Sequence, residues 1–394
     1  MNTNSSVSRS DLVDFHASTS SANPVINNQF GQGKSRVLNA TELEQFGEEI
    51  DAIKQQALAE VGEVDARYIR RIVKAVRYTE IAGRALLFIG IFPPAWIAGT
   101  LLLGLSKILE NMELGHNVMH GQYDWMNEPS LNGNTYEWDI VGTADNWRSS
   151  HNVKHHTYTN IKGMDDDVGY GLLRLFPEQR WKPFYLLQPL YALILGVLFQ
   201  WGVAIQELEL GKVFAGKKSK QQFKEEFKPM RKKMLRQLFK DYVFFPLLAG
   251  PFFLSVFTGN LVANLIRNVW TYTIIFCGHF TADAEVFPVS VLEQEGKGHW
   301  YQRQMRGSSN LTGGKWFHIL SGNLSHQIEH HLFPTVPARR YAEMSVEVQA
   351  VCKKYGQHYN SGTLVSQFSQ VLWRIFRHAF PSKVQQPVPS SYMA

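Results

Sequence analysis

The sequence predicts an all-α integral membrane protein: two transmembrane helical hairpins (four spans), interfacial helices beside them, and a cytosolic helical cap that holds a histidine-ligated metal site. Three observations carry this. The apolar stretches come in pairs with breakers between their arms, positive charge is concentrated in runs next to those pairs, and most of the 14 histidines bunch at helical spacing. Composition is compatible. Of 394 residues 44% are hydrophobic and 13% aromatic, and the mean hydropathy of −0.20 is too polar for a many-span transporter but leaves room for a few spans in a polar body. The two cysteines, Cys277 and Cys352, exclude a disulfide framework, a Cys-ligated zinc ribbon and a four-cysteine iron–sulfur cluster within this chain.

Residues 1–35 are rich in Ser, Asn and Gly and read as a disordered leader, with no apolar core of a secretory signal. Thr41 and Glu44 have capping-box spacing and open a helix to about Glu60. A basic amphipathic helix follows, with Arg67, Arg70, Arg71, Lys74 and Arg77 among apolar residues, suited to a cytosolic membrane surface. The first apolar pair is broken at Pro93-Pro94, where a turn tolerates the loss of two backbone donors. Its spans are expected at about 79–92 and 95–114. These arms are short for a ~30 Å hydrocarbon core, so the second runs on as helix toward His116.

Residues 184–205 are apolar but carry Gln188, Pro189 and Gln200, and are expected to lie in the interface. The second hairpin is expected at 242–260 and 262–280, with Thr258-Gly259-Asn260 near its turn. Residues 217–240 hold ten Lys/Arg against two Glu, which assigns them to the cytosol. That run, the net charge of +6 and the pI of 9.1 read as a lipid-facing surface rather than a nucleic-acid site. Helices are expected over 338–355 and 363–380. The domain runs from 36 to 380, and 381–394 form a flexible tail.

The histidines form HNVMH (His116, His120), HNVKHH (His151, His155, His156) and HQIEHH (His326, His330, His331). On an α-helix i and i+4 share a face, which pairs His116 with His120, His151 with His155, and His326 with His330. A residue at i+5 is turned by about 100° and reaches a neighbouring site, so H-x-x-x-H-H can serve two metals side by side. Imidazole suits iron, zinc and copper. No apolar span separates the first two clusters and one hairpin separates them from the third, so all three meet on one side of the membrane. The charge pattern makes that side cytosolic. A metal transporter would place its ligands within the spans, whereas here all but one of the candidates stand outside the apolar segments.

Three such boxes, in this order and between two apolar hairpins, resemble the integral-membrane fatty-acid desaturases, whose patterns are H-x(3–4)-H, H-x(2–3)-H-H and (H/Q)-x(2–3)-H-H. HNVMHGQYDWMN, NWRSSHNVKHHTYTN and GNLSHQIEHHLFP are similar to bacterial acyl-CoA Δ9 desaturases of the stearoyl-CoA type. The resemblance implies that the boxes ligate a di-iron centre and that a histidine from the last span, His279 in FCGHF, completes it. Animal members carry an Asn four residues before that histidine; Ile275 stands there in this chain. The third box can be read from His326 or from Gln327, and the parallel with the second box favours His326. His318, Asp166, Asp167, Trp147 and Arg148 are candidates for supporting the ligands or meeting substrate: the acids beside imidazoles, Trp147 along the acyl channel and Arg148 at a headgroup.

The resemblance further implies O2-dependent removal of two hydrogens from an acyl chain, with long-chain acyl-CoA, phospholipid acyl chains or acyl-carrier protein as possible carriers. A hydroxylase using the same boxes is the nearest alternative. There is no G-x-G-x-x-G fingerprint, no His-Pro-Gly-Gly haem signature and no iron–sulfur cysteine set, so no flavin, haem or cluster is expected in this chain. Electrons then come from a separate ferredoxin-type or flavin reductase. The expected location is a bacterial inner membrane, with the active site on the cytoplasmic side.

Overall fold

The computed structural model describes residues 35–381; the expected leader up to residue 34 and the tail beyond 381 lie outside the described residues. Helix α1 (Ala40–Ala59) is capped by Asn39, two residues before the expected Thr41. The Asn39 side chain accepts from the Glu42 amide (2.9 Å) and Glu42 accepts from the Asn39 amide (3.0 Å). Asn39 and Glu42 share the capping-box spacing of Thr41 and Glu44, and Asn is the stronger cap. Helix α2 (Glu63–Phe88) unites the basic amphipathic segment with the first apolar arm. It stops before residues 89–92, and Pro93 opens α3 (Pro93–Ile108), where its missing N–H costs nothing. The hairpin is tight because two glycines face each other. A Cβ on Gly83 would lie 2.8 Å from the Leu103 nitrogen, and one on Gly99 would lie 2.9 Å from the Gly83 oxygen. Helix α3 runs on as a π-helix, Leu109–His116, toward the first histidine pair.

The apolar segment at 184–205 becomes α4 (Gln188–Val197) and α5 (Phe199–Glu207), with a bend of 99° between this stretch's two halves. The lysine-rich run forms α6 (Lys220–Phe239), which continues through a π turn, Lys240–Phe244, and one more α turn, Phe245–Leu248. Helix α7 (Phe253–His279) follows.

The second hairpin therefore turns at 249–252, not at 258–260 as expected, and its arms differ from 242–260 and 262–280. Gly250 takes a left-handed φ of +54° and Pro251 has no amide hydrogen to give. The Thr258-Gly259-Asn260 triplet is helical instead. The Thr258 hydroxyl donates to the Leu254 carbonyl (2.8 Å), Gly259 abuts Leu87, and the Asn260 amide donates to the Asp241 carbonyl (2.6 Å). Among the described residues one helical run, Gly250–His279, is long and apolar enough to cross a membrane alone, and the bent pair Pro183–Val197 with Phe199–Glu207 would together make a second. The other expected arms fall short because α3 has 16 residues and the apolar half of α2 shares its helix with arginines.

Helix α7 is the axis of the molecule. On one side it meets α2 and α3, where the Trp96 indole donates to the Ser255 carbonyl (3.1 Å) and the Ser255 hydroxyl to the Leu87 carbonyl (3.1 Å). On the other side Tyr272, Ile274, Phe276 and Phe280 pack with Phe199 of α5 and with Val371 and Ile375 of the last helix. Above it sit α8 (Lys297–Arg306), strand β1 (Asn310–Thr312), α9 (Gln327–Leu332), α10 (Tyr341–Tyr355), β2 (Ser361–Thr363) and α11 (Leu364–Ala379). β1 and β2 pair in parallel, Asn310 opposite Ser361. α10 and α11 match the last two expected helices, and α11 begins at a Thr363 cap whose hydroxyl accepts from the Ser366 amide (3.3 Å).

Candidate metal centre

Four elements converge above the C-terminal end of α7. The first is the π-helix Leu109–His116, which ends at His116; His120 follows one turn later, with ring centres 4.7 Å apart. The second is another π-helix, Arg148–His155. Its i→i+5 bonding makes a wider turn, and such turns recur at functional sites. Here it brings both His155 and His156 back toward His151, at 5.0 and 4.9 Å between ring centres. His156 joins His330 and His331 in a donor group apart from His151 and His155, the neighbouring site that its spacing implies. The third element is α7, which ends at His279, and the fourth is α9.

Helix α9 begins at Gln327, so the third box is not helical from its first histidine. His326 has φ −104° and ψ 57° and stands before the helix. The i, i+4 rule does not apply to it, and the structure departs from the expected reading. His326 turns away to His318, rings 4.5 Å apart, with its Nδ1 3.9 Å from the Glu329 carboxylate. Gln327, His330 and His331 stand at i, i+3 and i+4 instead. Gln327 Nε2 lies 3.0 Å from His279 Nε2. Gly278 admits it, since a Cβ there would come within 3.0 Å of the Gln327 side chain.

Eight imidazoles meet in overlapping groups whose donor atoms lie within 4.8 Å of one another: His116, His120, His151 and His330; His155, His279 and His331; and His156 with His330 and His331. Asp167 joins His151 and His155. The Nε2 atoms of His116, His120, His151, His156 and His330 are buried without a hydrogen-bond partner. The Nε2 atoms of His279 and His331 face each other at 3.1 Å. Lone pairs that close, in a buried site, fit a cation between them. Burial drives His120, His151, His156, His330 and His331 well below the ordinary imidazole range, aided by the neighbouring rings, and His116 down to about 4. All six are neutral donors at pH 7. The donor set fits metal ions that accept imidazole.

The outer nitrogens are held. His155 Nδ1 lies 3.0 and 3.1 Å from the two oxygens of Asp165, whose carboxylate also accepts from the amides of Asn160 (2.7 Å) and Asp167 (3.0 Å). Burial lowers the His155 pKa, but Asp165 and Asp167 outweigh it and raise it to about 9. His279 Nδ1 lies 3.2 Å from the Gly307 carbonyl and His331 Nδ1 3.0 Å from Gln304 Oε1. His116 Nδ1 lies 3.2 Å from Asn117 Oδ1. Fixing one ring nitrogen so that the other faces a metal is the usual arrangement around such ions.

Other expected site residues divide. Trp147 stacks on His151 at 4.5 Å and lines a cavity beside the clusters. Asp167 lies 3.6 Å from both His151 and His155 and accepts from Gln206 Nε2 (3.0 Å). Asp166 points away, to Lys154 (3.8 Å) and Lys212 (3.6 Å). Arg148 is committed to the carbonyls of Gly133 (3.0 Å) and Tyr136 (3.1 Å) and to Asp145, which ties a loop rather than presenting a headgroup contact. His318 bonds Ser325 Oγ (2.7 Å), outside the clusters. Asp165 opens the acidic triplet Asp165–Asp167 that follows the second box, whose members are placed to bond ligand imidazoles, and it is the one that bonds His155. Gln304 and Gly307 carried no signal in the sequence. Replacing Gly278 by alanine is expected to displace Gln327 and lower metal content; metal analysis of the purified variant checks this.

The cavity holds about 850 Å3 including its mouth, and its walls include Trp138, Trp147, Phe199, Ile275 and Phe280. A helical chain with apolar hairpins, buried histidine clusters able to hold metal and an apolar chamber opening on them defines a histidine-box protein. Residues 92–363 match the model of the family described as fatty acid desaturase, and the chain belongs to that family. It is an oxidoreductase. It is 46% identical over 350 residues, covering 88% of this chain and 82% of the relative, to the NADPH-dependent stearoyl-CoA 9-desaturase of Mycobacterium tuberculosis (strain CDC 1551 / Oshkosh). Identity is 30% over 285 residues to the sn-1 linoleoyl-lipid 6-desaturase of Synechocystis sp. (strain ATCC 27184 / PCC 6803 / Kazusa), covering 69% of this chain and 77% of the relative.

Proposed function

We propose that this protein desaturates a long-chain fatty acyl-CoA at the Δ9 position, using O2, two iron ions held by the histidine clusters, and electrons from a separate reductase. The observation that carries the reading is the apolar cavity opening directly on the two imidazole groups, in a chain with that mycobacterial relative. One iron would be held by His116, His120, His151, His156 and His330, the other by His155, His279 and His331 with Gln327 beside them. When bound, the irons would supply the O2-derived oxidant that removes hydrogen from an unactivated chain, which no side-chain acid or base can do. The protein's part is positioning and exclusion of water. The indoles of Trp138 and Trp147 and the side chain of Ile275 confine the chain beside the histidines. Asp165 keeps the His155 ring in one orientation with Nε2 toward the site.

The two hairpins are read as four spans, with the clusters on the cytoplasmic side of a bacterial inner membrane. Supporting this, Ile89, Ile91, Phe92, Leu247, Leu248 and Leu254 are exposed at the hairpin turns, where lipid would cover them, while the basic helix α6 leads into the third arm from the side of the clusters. The same basic surface suits an acidic electron carrier.

Fatty acids of aerobic cells expressing this chain with a reductase, double bonds located by mass spectrometry, test the reading. A new Δ9 monounsaturated acid, absent with His155→Ala, is the expected result. A hydroxylated product would transfer the chain to the hydroxylases. Products confined to intact phospholipid would make it an acyl-lipid enzyme like the Synechocystis relative. No product from iron-loaded, reducible protein would overturn the reading.

A further inference from the structure

The cavity follows one face of α7. Arg267, Thr271, Ile275 and His279 stand four residues apart and all line it. Twelve residues of helix separate its two ends, about 18 Å at 1.5 Å per residue. The histidine end is described above. The other end is a guanidinium, and Arg267 is 1% exposed. Its Nε donates to Asn268 Oδ1 (3.1 Å) and its Nη2 to Asn264 Oδ1 (3.2 Å), both neutral amides. Its link to an acid runs through Asn264, whose Nδ2 donates to Asp241 Oδ2 (3.0 Å). Asp241 already faces Lys107 (2.9 Å), Arg84 (3.7 Å) and Lys240 (4.0 Å). Lys240 is also paired with Asp139 and Arg84 with Glu80 (3.0 Å), while Asp139 and Asp241 act on Arg267 only from beyond direct contact. Asn268 and Asn111 add amide groups to the same end of the cavity, and Thr271 donates to Asn111 Oδ1 (3.3 Å).

A buried guanidinium whose own hydrogen bonds go to neutral amides keeps whatever water reaches it, because stripping that water costs free energy that a hydrocarbon cannot return. An acyl tail advancing along α7 meets apolar walls as far as Ile275 and Phe199, and then this polar end. We propose that Arg267, held by Asn264 and Asn268, closes the acyl cavity with a polar end wall and so sets the longest chain the enzyme accepts. This rests on the acyl-substrate reading above.

The test uses the iron-loaded enzyme with its reductase and saturated acyl-CoAs lengthened two carbons at a time from stearoyl. Arg267→Met is expected to raise kcat/KM for the first chain beyond the wild-type limit, relative to stearoyl, by about tenfold or more, the usual worth of one methylene's fit in a pocket. Arg267→Lys should keep the wild-type limit. Thr271→Phe fills the cavity between Arg267 and His279 and should move the limit to shorter chains, which keeps the proposal testable if Arg267→Met folds poorly. The rise in Tm given by each acyl-CoA should follow the same order without turnover. An unchanged length profile in folded, iron-replete Arg267→Met overturns the proposal. So does a uniform loss at every length, which would make Arg267 the anchor of a polar group. If no acyl-CoA stabilises the wild type or is turned over by it, the acyl reading itself fails, a pattern distinct from either.

Discussion

Replacing His330 by alanine is expected to abolish desaturation and to lower iron content in the purified protein. His330 belongs to two of the donor groups, with His116, His120 and His151 on one side and with His156 and His331 on the other. Its ring centre is 4.8 Å from those of His116, His120 and His156. The residue is fully buried and neither of its nitrogens has a protein partner. Its hydrogen bonds therefore do not stabilise the fold, and its removal falls on the metal. Loss of a mere supporting partner of a ligand typically costs 10–100-fold in affinity or activity, so losing the ligand itself should cost about a hundredfold or more. Iron analysis and product chromatography check this, with a thermal melt of iron-free protein to show that the fold survives. His326→Ala is the companion. Standing outside α9 and turned to His318, it should leave iron content at the wild-type level. Equal iron loss in both variants would refute the assignment of the third box to Gln327, His330 and His331.

That contrast shows where the sequence was legible and where it was not. The break at Pro93 and the last two helices follow from local chemistry, and they stand where the sequence puts them. The failures also have local causes. Thr258-Gly259-Asn260 has the composition of a turn, but the Thr258 hydroxyl bonds within the helix and Gly259 packs against Leu87, a contact made by a residue far away in the chain. The i, i+4 rule for His326 assumed a helix whose first residue is Gln327. The turn that carries the second box is a π turn that no sequence signal announced, yet His156 still falls in a different donor group from His151 and His155, as its spacing implies. Convergence of the three boxes was legible as an expectation from charge and apolar pattern, and eight imidazoles do meet. Which nitrogen each ring offers was not, because it depends on partners such as Gln304 and Gly307 that only the tertiary fold supplies.

Asp165→Asn should lower iron affinity and turnover by about 10–100-fold while leaving the fold intact. Asp165 is buried and makes four contacts as an acceptor: two with His155 Nδ1 and one each with the amides of Asn160 and Asp167. An asparagine has the same shape but one oxygen. The two amides bond different oxygens, Asn160 to Oδ2 and Asp167 to Oδ1, so whichever way the asparagine turns its NH2 faces one backbone N–H, donor against donor, and His155 Nδ1 keeps one acceptor in place of two. In either orientation the side chain is pushed off the clashing amide and its hold on the ring, which turns Nε2 toward His279 and His331, is weakened. The neighbouring acid is the control. Asp166 faces Lys154 and Lys212 at the edge of the site, so Asp166→Asn should leave iron content and turnover near wild type. Titration of iron into both variants, followed by product formation under identical reduction, separates the two. A matched loss in Asp166→Asn would mean that the acidic triplet acts through its summed charge. A loss confined to Asp165→Asn would mean that one carboxylate acts by orienting one ring, because the two substitutions remove the same charge a single residue apart.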